Sequence, residues 1–341
     1  MDAGRRTLAH ATAGPDRRGS LHRALAVAVT AALISGGASL VAAGGGSPTG
    51  DTGVTENSAD PGRGDVARLV DIGGGRSIYL QCSGAGSPTV VLVSGTGGAA
   101  DEWTHVVGPA REPSLTPSGS AVFPTVAAHT RVCAYDRPGT TRVDDSPTPS
   151  TPVGQPTTAA QGVADLRAVL AAAGERGPYV LVGASWGAMI TTLFARTDAA
   201  RVAGLVTLDG ASQYLRDTLT PAQWSDWMAK VAAADPTARL DTPDYPASVD
   251  QLRAAPAPRQ GLPATVLTAD HPWDLRVGDT GSTWPAWLAA QNRLAAELQA
   301  RHITDTDSGH GIAVEQPRLT SNAVLDVVGR AGRGVSPSGP G

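Results

Sequence analysis

Lysine is nearly absent from this chain, and its cations are almost all arginine. There is no long basic run, and the formal net charge is −4. A partner held through phosphate contacts, such as a nucleic acid, is therefore not expected. Cysteine occurs twice, at Cys82 and Cys133, without the paired spacing of a zinc site, and no H-E-x-x-H helix is present. No resident metal is expected from this pattern. A glycine fingerprint for a dinucleotide is also missing, no internal repeat is visible, and no cofactor is implied. Phenylalanine is scarce as well, with two residues against seven tryptophans, an unusual balance.

The first 43 residues do not read as part of a fold. Arg5, Arg6, Arg17, Arg18 and Arg23 precede an apolar run from Ala24 to Ile34, and small residues follow around Ala43. Basic, apolar and small-residue regions in that order form an export signal. The alternative is an uncleaved membrane anchor, which Ser35, Gly36, Gly37 and Ser39 weaken. Residues 44–64 read as a flexible linker rich in Gly, Ser, Thr and Pro. The expected location is secreted or cell envelope, with membrane contact only through that signal segment. An oxidising compartment permits a disulfide, although two cysteines alone do not require one.

From residue 65 onward, short Val/Ile/Leu/Thr-rich runs alternate with helical stretches. "DVARLVDI" and "RSIYLQC" flank three glycines as a hairpin would. "TVVLVSG", "RVCAYD", "YVLVGAS", "VAGLVTLD" and "ATVLTAD" are nearly continuous in apolar residues, as strands covered on both faces are. The alternation predicts a largely parallel sheet with helices on both sides. Residues 104–130 interrupt it with a Pro/Ser-rich excursion. Residues 211–260 interrupt it again and are expected to form a cap or lid. The core then comprises 65–210 and 261–330, followed by a disordered tail over 331–341.

The chemistry centres on "YVLVGASWG". Ser185 lies between Gly183 and Gly187, after a strand and before a helix, which is the G-x-S-x-G setting of a nucleophile elbow. A serine hydroxyl needs a base, and His310 in "DTDSGHGIAVEQP" follows the last strand, where an imidazole reaches the sheet's C-terminal edge. His105, His129 and His271 lie in loops without such context, and His302 opens a strand. The acid that orients the base is expected between residues 186 and 309. Asp209 in "LVTLDG" and Asp270 in "VLTADHPWD" each end a strand at the same edge, and the spacing does not choose between them. Asp274 is close by. Backbone donors for an oxyanion are expected at Trp186 and at Thr96 in the "SGTGG" turn.

Taken together, "VLVSGTGG", "VFPTVAAHTRVCAYDRPGTTR", "YVLVGASWGA", "GLVTLDGAS" and "ITDTDSGHGIAVEQP" resemble an α/β-hydrolase-fold serine hydrolase over residues 65–330. The nearest likeness is to secreted or cell-envelope actinobacterial hydrolases of unknown substrate. The resemblance implies a mostly parallel eight-stranded sheet, with helices on both faces and a helical cap. It also implies a Ser-His-Asp triad acting on a small-molecule ester or amide through an acyl-enzyme. It would make the second and fourth strands neighbours, so that Cys82 and Cys133 could bridge. Ala184 replaces the histidine usual before the serine, and Trp186 is a bulky successor expected under the cap or against the core. Some members of this fold draw the acid from one strand earlier, which favours Asp209 over Asp270. A proline-iminopeptidase-like peptidase is one alternative; it needs an acidic cluster for a substrate amine, for which Asp241, Asp244 and Asp250 are the candidates, expected to be solvated. A non-catalytic envelope binding protein on the same fold is the other. Trp224, Trp227, Trp273, Trp284 and Trp287 are expected to anchor cap helices, or else to line an apolar pocket.

Overall fold

A computed structural model describes residues 64–108, 114–233, 240–275, 277–278 and 280–333. The export signal, nearly all of the linker and residues 334–341 lie outside the described residues. The hairpin expected first is present: β1 (Val66–Gly73) and β2 (Arg76–Ser83) pair antiparallel. Next come β3 (Thr89–Val93), the short strands β4 (His105–Val107) and β5 (Leu115–Pro117), and helix α1 (Val122–Ala127). Within the excursion over 104–130, the described residues form a small separate two-stranded sheet followed by a helix.

Four cycles complete the sheet. They are β6 (Val132–Tyr135) with α2 (Ala159–Ala172), β7 (Tyr179–Ala184) with α3 (Trp186–Thr197), β8 (Val202–Leu208), and β9 (Ala264–Leu267) with α7 (Trp284–Glu297). β10 (Arg301–Ile303), α8 (Ile312–Glu315) and α9 (Pro317–Arg333) close the described chain. The order across the eight-stranded sheet is β1-β2-β6-β3-β7-β8-β9-β10, with β1, β2 and β6 meeting antiparallel and the remainder parallel. Because α9 continues to Arg333, residues 331–333 are helical and do not belong to the tail expected over 331–341.

Two apolar layers follow from strand alternation, which sends successive side chains to opposite faces. Val91, Val93, Leu181, Leu205 and Val266 meet α2, α3 and α7 on one side. Val90, Leu92, Val180, Val182, Val206 and Leu267 meet α1 and α9 on the other. Removing a side chain such as Leu181 from this two-sided packing would cost about 2–5 kcal/mol.

Cys82 and Cys133 are direct cross-strand partners in the β2–β6 ladder, and their sulfurs form a disulfide. Among the described residues, the one His/Cys/acid group with metal-ligand spacing is Cys82, Cys133 and Glu175, and its two thiols are joined in that bond. No described helix is long and apolar enough to cross a membrane.

Between β8 and β9 lie α4 (Leu215–Thr218), α5 (Pro221–Ala232) and α6 (Tyr245–Ala254). Capping boxes and N-cap side chains start the two longer ones: Thr220 with Gln223 for α5, and Asp244 for α6. Trp224 and Trp227 are buried on α5, and Trp227 packs on Tyr245 of α6 at 4.3 Å between ring centroids. Tyr245 in turn meets the Trp186 ring edge-on at 5.3 Å. The inserted helices therefore rest on the first residue of α3.

Candidate active site

The parallel strands β7 and β8 end side by side, and the residue directly after each has a left-handed φ. Ser185 has φ 47° and Asp209 has φ 41°. A non-glycine residue in that region is held there by its surroundings. At Ser185 the cause is the abrupt strand-to-helix turn: its amide donates to Leu208, and its carbonyl accepts from Ala188 and Ala211. The flanking glycines are required by close approach. A Cβ at Gly187 would enter the carbonyl oxygens of Val93 and Ser94, and one at Gly183 would meet Thr191, Ala188 and Gly187.

This bend turns the Ser185 hydroxyl toward the loop between β10 and α8. His310 Nε2 lies 3.0 Å from Ser185 Oγ, and His310 Nδ1 lies 2.6 Å from Asp209 Oδ2. Since the carboxylate can only accept, Nδ1 carries the proton and Nε2 is free to accept from the serine. The Asp209 side chain is fully buried, while that of His310 is 27% exposed, so the imidazole is reachable from solvent.

Two indoles complete the environment of the carboxylate, and the sequence gives no hint of them. Trp273 Nε1 donates to Asp209 Oδ2 at 2.9 Å, Trp287 Nε1 donates to Oδ1 at 3.0 Å, and the Ala269 amide adds a bond at 3.2 Å. The same rings flank the imidazole, with centroid distances of 4.1 Å for Trp273 and 5.6 Å for Trp287. These tryptophans pack in the core as expected, and two of them have a second role beyond that expectation: they hold Asp209. Trp224 and Trp227 do pack in the inserted helices, and Trp284 packs against Trp273.

Asp270 does not reach His310, which corrects its place beside Asp209 as a candidate acid. Its carboxylate accepts from the amides of Ser308 and Asp307 and from the Thr306 hydroxyl. Desolvation opposes ionisation, but those bonds outweigh it and hold Asp270 below the usual carboxylate range. From the other side, Glu315 accepts from the Gly309 amide at 2.8 Å. Asp270 thus organises the loop that carries His310. Asp274 caps a different turn, at Ser282–Trp284. The remaining described histidines are occupied elsewhere, as with His302 on Thr268 and His129 on the Thr125 carbonyl.

The Ser94–Gly98 loop passes close to the serine, since a Cβ at Gly95 would stand 3.1 Å from Ser185 Cβ. Among the described residues, the Thr96 amide donates to no protein acceptor. Trp186 opens α3, and a first-turn amide has no partner within its helix. The Trp186 side chain is fully buried. Arg137 fastens the loop by donating to the carbonyls of Ser94 and Gly95, and it pairs with Asp241 at 2.8 Å. Asp241 also accepts from the Gly97 amide at 2.9 Å. The expectation that Asp241, Asp244 and Asp250 are solvated holds for Asp250 and is corrected for Asp241. Asp241 is buried in the Arg137 pair, Asp244 caps α6, and Asp250 is exposed on that helix. Two surface cavities lie apart from this constellation. One, of about 410 Å³, lies beside Arg196 and Glu297, and the other, of about 360 Å³, lies beside Met228 and Pro243.

Residues 90–324, more than half of the chain, match the model of the alpha/beta hydrolase family. The chain belongs to that family. The hydrolase fold is found again in solved structures. A haloalkane dehalogenase, DatA, from Agrobacterium tumefaciens superposes with a TM-score of 0.53 at 16% identity, over 78% of this chain and 98% of that one. A hydrolase from Pseudomonas aeruginosa gives 0.51 at 19% identity, over 77% and 98%. At such identities the likeness is one of fold. An uncharacterized protein of Schizosaccharomyces pombe is 32% identical over an alignment of 154 residues that covers 41% of this chain and 28% of that protein. The chain thus spans little more than a quarter of that relative's length.

Proposed function

We propose that this alpha/beta hydrolase is an exported serine hydrolase that cleaves a small-molecule carboxylic ester through an acyl-enzyme. The observation that carries the reading is the continuous chain from Ser185 Oγ through the imidazole to a buried carboxylate, at 3.0 Å and 2.6 Å. Ser185 Oγ attacks the carbonyl carbon while His310 Nε2 takes its proton. Asp209, held by two indoles, keeps the proton on Nδ1 and stabilises the imidazolium. The Thr96 and Trp186 amides face the negative oxygen of the tetrahedral intermediate. His310 returns its proton to the leaving alkoxide as the C–O bond breaks. A water molecule, deprotonated by the same imidazole, then releases the acid and restores Ser185.

Helices α4–α6 serve in this reading as the cap, and Asp241 ties it to the oxyanion loop through Gly97 and Arg137. Such preorganised donors typically contribute ~10²–10³ in turnover each. Export rests on the N-terminal residue order and is compatible with the cross-strand disulfide. An aminopeptidase reading is less well supported, because Asp241 is already engaged.

A fluorophosphonate probe tests the central step. Ser185 should be the residue modified, with Ser185→Ala abolishing both labelling and p-nitrophenyl ester turnover. A folded Ser185→Ala variant that retained either would remove the reading. Intact mass of protein recovered from the medium tests whether residues 1–43 have been cleaved.

A further inference from the structure

A short 3-10 helix at Ala100–Thr104 follows directly on the Ser94–Gly98 loop and packs against α8, which begins two residues after His310. Glu102 projects from this turn. Its carboxyl lies over Gly98, so closely that a Cβ there would overlap Glu102 Oε2. Gly98 has no left-handed backbone to explain its glycine. What its missing side chain provides is room for the carboxyl.

Among the described residues, Glu102 makes no side-chain hydrogen bond and no ion pair. The arginine near it is committed: Arg137 pairs with Asp241 and donates to two carbonyls. Asp101, its neighbour, accepts from the Val143 amide. Crowding by the surrounding protein pushes the Glu102 carboxyl up to about 7. Arg137 and His310 oppose that rise, and Asp101 adds to it. The residue is nonetheless only half-buried, and the Gly98 it lies over belongs to the Ser94–Gly98 loop that passes close to Ser185. An unpartnered acid beside the Ser94–Gly98 loop, within the field of a candidate base, is a common mark of a functional group.

We propose that Glu102 is a specificity-determining residue, which accepts a hydrogen bond from the ammonium group of a cationic ester substrate and disfavours anionic ones. The inference rests on the reading of Ser185 as nucleophile. It follows from charge balance around the loop. Glu102 offers an unpaired carboxyl there, Asp209 and Asp241 are engaged by their own donors, and no described arginine in contact with the loop is left without a carboxylate. A substrate carboxylate would therefore find no counter-ion, whereas an ammonium would find one.

The experiment compares three p-nitrophenyl esters with short acyl chains of matched length ending in an ammonium, a methyl or a carboxylate group. They are run on the full chain and on Glu102→Gln, which preserves size. In the wild type kcat/KM should be highest for the cationic ester. Glu102→Gln should lower it ~10–100-fold for that ester, the loss expected for a hydrogen bond to a charged group, and leave the methyl ester within ~3-fold. The ratio of cationic to neutral ester cancels their shared dependence on His310, so it isolates Glu102. In the wild type that ratio should grow as pH rises through about 7, and in the variant it should stay flat. An unchanged ratio in Glu102→Gln, with methyl-ester turnover intact, overturns the proposal and leaves the serine-hydrolase reading standing. Calorimetric titration with n-butylammonium reports independently of turnover. Binding lost in Glu102→Gln supports the assignment, and equal binding, or none by the wild type, overturns it.

Discussion

Asp209→Asn and Asp270→Asn remove one charge each from carboxylates at the same sheet edge, yet the structure predicts very different outcomes. Asp209 is wholly buried and accepts from four donors: the Ala269 amide and Trp287 on Oδ1, and Trp273 and His310 on Oδ2. An asparagine offers one carbonyl and one NH₂. With the carbonyl in the Oδ1 position, the NH₂ faces the Trp273 indole and His310 Nδ1. The imidazole must then accept through Nδ1, which moves its proton to Nε2, where it can no longer take one from Ser185. Turnover should fall by ~10⁴, the loss produced by the same tautomer error in serine proteases. The stranded indole adds a stability loss of about 1–3 kcal/mol. Asp270 is exposed, and an asparagine there keeps a carbonyl for the Ser308 amide. Its turnover should stay within about tenfold of wild type and its stability within ~1 kcal/mol. Saturating p-nitrophenyl ester kinetics give kcat, and calorimetric melts show that each variant is folded. A folded Asp209→Asn protein within tenfold of wild type, or an Asp270→Asn loss of equal size, would refute the argument that Asp209 sets the tautomer.

Two further outcomes concern stability. The Cys82–Cys133 bond spans a sequence separation of 51 residues, for which loop-closure entropy gives about 4 kcal/mol. Cys82→Ser combined with Cys133→Ser should therefore lower Tm by on the order of 10 °C, and an unchanged melting curve would count against a bond in the native protein. Glu102 is raised from 4.5 to about 7, so the folded state holds its proton more tightly than the unfolded chain does. That contribution is complete below about pH 4.5 and is lost as pH rises to about 7, up to about 3 kcal/mol in all. Glu102→Gln should lack this slope, and urea melts from pH 4 to 8 that run parallel for the two proteins would contradict it.

What the sequence determined by itself was mostly local or periodic. Apolar runs of strand length, alternating with helical stretches, specify a doubly covered parallel sheet. They do so because each strand must bury both faces, and the observed β3, β7 and β8 do. The sharp bend at Ser185 was legible for a similar reason: two glycines, a preceding strand and a following helix leave the backbone few choices. His310 was legible from its position after the last strand, since a loop there has to emerge at the edge where the parallel strands end.

Only the tertiary structure shows which of Asp209 and Asp270 reaches His310. Both end adjacent parallel strands, so strand order places them alike. The difference lies in donors from far along the chain: two indoles converge on one carboxylate, and the amides of Asp307 and Ser308 on the other. The same is true of Arg137 and Asp241, which are 104 positions apart and jointly hold the Ser94–Gly98 loop, and of Glu102 lying over Gly98. Side-chain hydrogen bonds between distant segments leave no periodicity in a sequence, because their spacing is set by how the layers pack rather than by the repeat of any one element.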